Sequence, residues 1–139
     1  MSPTMQWEFD WLHGPRVARA RTTGTLVFEG ILAMVGEGMA FAQRHGARRL
    51  LVDHSASSPG ATLAEVYRLP DEAEMRGLTR DFRLAIVPPN DGRASADFAF
   101  YEDRAQNTGF RHRVFRTVDD AMTWLIHEPE ANGTDPAPE

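Results

Sequence analysis

The sequence predicts an α/β domain: a mostly parallel five-stranded sheet with helices between its strands and an antiparallel hairpin at its N-terminus. Three observations carry that prediction. The run Leu50-Leu51-Val52-Asp53 is short, apolar and bounded by turn residues, as a buried strand of such a sheet is. Two further runs, Arg83-Leu84-Ala85-Ile86-Val87 and His112-Arg113-Val114-Phe115-Arg116, are separated from it and from each other by stretches long enough for a crossover helix. Near the N-terminus, apolar and acidic residues alternate through Trp7-Glu8-Phe9-Asp10-Trp11, turn at His13-Gly14-Pro15, and alternate again from Arg16 to Arg21.

The helices follow from periodicity and caps. Thr25 is placed to cap a long helix over residues 26–45, which Gly46 ends because glycine tolerates the left-handed position after a helix. Thr62-Leu63-Ala64-Glu65 has the spacing of a capping box, so a second helix starts there. Pro70 has no amide proton, and the segment is expected to break at it and restart through Asp71 to Met75. Residues 94–107 put Phe98, Tyr101 and Ala105 on one helical stripe. Thr117 opens the last helix, whose core stripe is Val118, Ala121, Met122 and Leu125. One domain over residues 1–127 is expected. Residues 128–139, acidic and proline-rich without periodicity, read as a disordered tail.

Composition closes off several chemistries. There is no cysteine, hence no disulfide, thiolate nucleophile or cysteine-bound zinc. All fifteen basic residues are arginine, which removes the phosphate-loop lysine and Schiff-base chemistry. A net charge of −5 argues against a nucleic-acid surface. The apolar stretch over residues 26–42 is interrupted by Glu29 and Glu37 and reads as a soluble helix, not a membrane span. With no secretory signal at the N-terminus, a cytoplasmic location is expected.

At Arg49-Leu50-Leu51-Val52-Asp53, Tyr67-Arg68-Leu69-Pro70, Ala85-Ile86-Val87-Pro88, Asn107-Thr108-Gly109-Phe110 and the closing segment from Val114 to Leu125, the chain resembles the STAS-like family. That is the fold of bacterial anti-sigma-factor antagonists, and the resemblance extends to STAS-like or CRAL-TRIO-like domains of bacteria. It covers residues 7–126. The family's phosphorylation motif, of Asp-Ser-Ser-Gly type, is replaced here by Ala61-Thr62-Leu63-Ala64. Ser57, Ser58 and Thr62 lie near enough to stand as regulatory candidates, against a plainer reading of two turn serines and a helix cap.

No catalytic, cofactor or metal site emerges. Asp53, His54 and Ser55 are consecutive, so their side chains alternate between faces and cannot form a relay. Asp53 is a candidate polar anchor at the sheet's carboxyl edge, with Asn90 or Asp91 beside it, or else a residue that binds loop amides. None of the five histidines has metal-ligand spacing, although His54 and His112 could approach across the sheet. The helix over residues 26–42 is apolar around most of its circumference. It lies deep in the domain, or meets a twin subunit, or lines an apolar pocket; Met34, Met39 and Phe41 are the candidates for the last two roles. The leading expectation is a non-enzymatic STAS-like interaction or regulatory module, a homodimer with a protein partner. The alternative is a module that binds a small apolar ligand or lipid, without cofactor.

Overall fold

The computed structural model describes residues 4–127, so the tail expected from residue 128 onward lies outside the described residues. The N-terminal alternation forms the hairpin: β1 (Gln6–Leu12) pairs antiparallel with β2 (Val17–Thr25), and Phe9 lies opposite Ala20. The long apolar helix α1 (Phe28–Arg44) follows, then β3 (Arg49–Asp53) and a two-residue strand β4 (Ser57–Ser58). α2 (Leu63–Met75), β5 (Arg83–Val87), α3 (Gly92–Asn107), β6 (Arg111–Val114) and α4 (Val118–His127) complete the order. Five strands lie in the order β1-β2-β3-β5-β6, all parallel after the hairpin, and β4 pairs with the end of β2.

Three local expectations are corrected. Ser57 and Ser58 are a sixth strand rather than a turn: they extend alongside Gly24 and Thr25, and the Leu26 amide donates to the Ser58 carbonyl at 2.8 Å. That pairing draws Thr25 into β2, so α1 starts behind Val27, which has no side-chain cap. α2 runs unbroken through Pro70. The ring removes one internal hydrogen bond, but Val66, Leu69, Pro70 and Ala73 form a buried inward face that holds the turns on either side of it together.

The strand order decides where the helices go. Each step from β2 to β3, β5 and β6 moves the same way across the sheet, so right-handed crossovers place α1, α2 and α3 on one face. The larger core lies there, with Ala18, Ala20, Leu50, Val52, Leu84 and Ile86 as its floor. α4 crosses the other face, where Ala121 and Leu125 meet Val17, Leu51, Ala85 and Val87. Without a reversal of strand order, the sheet lacks the edge crevice at which doubly wound folds hold their ligands.

A second consequence is steric. Four parallel strands spaced ~4.8 Å apart span only about 14 Å, whereas three helices ~10 Å across need about 20 Å between their outer axes. The middle helix is therefore lifted: α2 packs on α1 and α3 rather than on the sheet. Exposed pairs tie it to its neighbours, Arg76 to Glu29 of α1 at 2.9 Å and Arg104 of α3 to Asp71 at 2.6 Å. The Arg68 guanidinium also lies 4.8 Å from the Phe28 ring centre.

α1 is used within the domain on most of its circumference. Phe28, Ile31, Leu32, Met34, Val35 and Met39 are all buried. Phe41, half-buried, stacks on Phe9 at 5.4 Å. Trp7 donates to Glu37 at 2.9 Å and Trp11 stacks on His45 at 4.4 Å, so the hairpin aromatics cover the flank of α1. Among the described residues no helix is long and apolar enough to cross a membrane.

Candidate functional site

Lifting α2 leaves a slot beneath it. Its floor is Val52 of β3 with Leu84 and Ile86 of β5, its walls come from α1 and α3, and Val66, Leu69 and Ala73 of α2 form its roof. The space is about 50 Å³. The lining is hydrocarbon almost throughout, and Met34 of α1 belongs to it. Toward the carboxyl ends of the strands the slot reaches His54, Gly60, Ala61, Asp97 and Phe98. Gly60 is required where it stands. A Cβ there would sit 2.4 Å from the Leu26 carbonyl oxygen and 2.5 Å from the Thr25 methyl.

His54 is the polar end of this slot. Its backbone amide continues the sheet, donating to the Val87 carbonyl at 2.8 Å, and its ring meets Phe98 edge-on at 5.8 Å. Nδ1 lies 2.7 Å from the Thr22 hydroxyl, which is also 2.7 Å from the Ser57 hydroxyl and 3.4 Å from the Asp53 carbonyl. Thr22 has one proton for three acceptors. If it gives that proton to Nδ1, the ring offers N–H at Nε2; if Nδ1 donates to Thr22, Nε2 offers a lone pair. Burial of the ring holds its pKa down to about 4, against a smaller opposing pull from the Asp53 carboxylate. The imidazole is therefore neutral at physiological pH. No described residue bonds Nε2, and that atom is not sealed inside the protein.

A second buried histidine lies on β6. His112 Nδ1 is 2.6 Å from the Tyr101 hydroxyl, the rings stack at 5.8 Å, and Nε2 is enclosed without a partner among the described residues. Burial pushes the His112 pKa down to about 3 and raises that of Tyr101. His54 and His112 each bond a different hydroxyl, and no bond joins them.

The other candidates have local partners. Asp53 accepts from the Ser55 amide at 2.9 Å. Asp91 caps α3, accepting from the Arg93 and Ala94 amides, and no hydrogen bond links it to Asp53 among the described residues. Thr62 and Glu65 form the reciprocal capping box. Ser57 is half-buried in the hydroxyl network and Ser58 is exposed on β4. Met34 and Met39 are buried within the chain.

Among the described residues no group of three or more acidic or histidine side chains could hold a metal ion. Sequence reasoning missed the Thr22–His54–Ser57 network, although the alternation that buries Ala18 and Ala20 also marks Thr22 as inward-facing. Compared with protein-family models, with curated proteins and with solved structures, the chain matches none.

Proposed function

We propose that the protein is a small binding module for an apolar molecule held between α2 and the sheet. The observation that carries this reading is the hydrocarbon-lined slot, with His54 and Asp97 at its polar end. Leaving about 50 Å³ of apolar space unfilled costs on the order of 1 kcal/mol, at about 24 cal/mol per Å³. An occupant recovers that and gains dispersion contacts on every side. The space suits a short alkyl segment. The resemblance to CRAL-TRIO-like domains points the same way, although this chain is much shorter than the lipid-transfer proteins of that group.

Xenon diffused into crystals, together with short-chain alkanes followed by NMR, tests the reading. Xenon density among Val52, Leu69 and Ile86 is expected, with saturable methyl shifts from the alkanes. Val66→Phe should fill the slot and abolish both; if that variant misfolds, Ala73→Leu serves. Absence of xenon and of saturable shifts in the wild-type protein refutes it.

The STAS-like interaction reading has its own observation. Leu63, Tyr67 and Phe100 are exposed on the outer faces of α2 and α3, where Tyr67 and Phe100 lie 5.8 Å apart. If that row joins two copies, light scattering at micromolar concentration gives twice the chain mass, and Tyr67→Glu halves it. A monomeric wild-type protein removes self-association.

A further inference from the structure

We infer that the slot's ligand is a neutral molecule with an apolar body and a single hydroxyl at one end, and that His54 Nε2 is the atom that reads the hydroxyl. This rests on the slot being a ligand site. The apolar lining fixes the body of the ligand, and three observations fix its head.

First, the His54 ring is held in place. Thr22 anchors Nδ1 at 2.7 Å, Ser57 anchors Thr22 at 2.7 Å, and Phe98 packs against the ring. An imidazole so placed presents Nε2 in one direction without paying to order it. Second, the residue is 2% exposed, yet Nε2 has no partner among the described residues and is not enclosed by protein. His54 belongs to the slot lining, so on this reading that nitrogen and the Asp97 carboxylate are the side-chain hydrogen-bonding positions left to a ligand. The Tyr101 hydroxyl, on the same wall, is already bonded to His112.

Third, the electrostatics disfavour an ionic head. Asp97 is the one acidic or basic side chain besides His54 in the lining, and Asp53 directly precedes His54. A carboxylate would meet the like charge of Asp97 and no arginine in the lining. An ammonium would be drawn to Asp97, yet it would lose its water among hydrocarbon and could bond Nε2 in only one tautomer. A hydroxyl donates and accepts, so it satisfies Nε2 in either tautomer. It also reproduces the hydrogen bond of any water it displaces. A bare hydrocarbon leaves the nitrogen without a partner, which is how polar sites reject analogues lacking the polar group.

Four probes of matched length separate these cases: butan-1-ol, n-pentane, butanoate and butylammonium, titrated by NMR into the full chain and into His54→Phe. The ratio of the pentane Kd to the butanol Kd, compared between the two proteins, cancels the greater hydrophobicity of pentane. That ratio should fall by about tenfold or more in His54→Phe. In the wild-type protein butanol should shift the His54 Nε2 nitrogen resonance and pentane should not. Pentane bound with an unchanged ratio overturns the head-group assignment and leaves the apolar site standing. Failure of both pentane and butanol to bind overturns both readings. Tighter binding of butanoate or butylammonium than of butanol gives the site to an ion and overturns the assignment. If His54→Phe does not fold, the wild-type nitrogen resonance decides: no movement at saturating butanol refutes the inference.

Discussion

Acid should unfold this protein over a pH range in which ordinary surface carboxylates do not titrate. His54 and His112 are buried as neutral rings, with pKa values held down to about 4 and about 3, against about 6.5 in an unfolded chain. Because the folded-state values are depressed, the unfolded state binds the extra protons. Stability is therefore complete above pH 6.5 and falls as the pH drops through 6.5 toward the folded values. With both rings contributing about 1.4 kcal/mol per pH unit, the slope approaches about 3 kcal/mol per unit, and by pH 5 roughly 4 kcal/mol is lost. That is a large share of the ~5–15 kcal/mol that holds a domain together. Urea unfolding followed by fluorescence of the three tryptophans, at pH 7.5, 6.5, 5.5 and 5.0, measures it directly. His54→Asn should roughly halve the slope. The Asp10 carboxyl, held below its ordinary range first by its hydrogen bond from Arg19, adds its own loss only at lower pH. A urea midpoint that stays constant from pH 7.5 to 5.0 would refute the burial argument for both rings.

Three substitutions probe other parts of the structure. Thr62→Ala removes the hydroxyl that accepts from the Glu65 amide, while the backbone amide at position 62 can still donate to Glu65, and should cost about 1 kcal/mol in urea unfolding; no change would mean that the start of α2 is held by its packing and the remaining bond. Tyr101→Phe leaves His112 without a partner at either nitrogen and should cost about 1–3 kcal/mol, whereas Tyr101→Phe combined with His112→Leu should recover much of that loss in the same assay. Gly60→Ala drives a methyl into the Leu26 carbonyl and should cost about 2 kcal/mol or more, with a lower Tm by calorimetry; a wild-type Tm would show that the segment shifts freely.

What could be read from the sequence was what local pattern dictates. The three apolar runs became β3, β5 and β6, the alternating N-terminus became the hairpin, and the Thr62–Glu65 spacing became a capping box. The misreadings share one cause. Thr25, Ser57 and Ser58 have the residue types of a cap and a turn, yet pairing between β2 and β4 at a separation of more than thirty residues outweighed those preferences. At Pro70 a covered helical face outweighed one missing hydrogen bond. The slot was beyond local pattern because it arises from a mismatch of widths between three helices and four strands. His54 stood in view, but its role depends on Thr22, thirty-two positions away.

The raised position of α2 divides labour within the chain. Strand pairing and the inner surfaces of α1, α3 and α4 cover the sheet closely, while Val66, Leu69 and Ala73, in the same core, form the roof of the slot. Under the proposed reading, substitutions in those three side chains alter the length and width of what the slot would admit. If the slot holds a ligand, a scaffold built this way would change its preference through one helix.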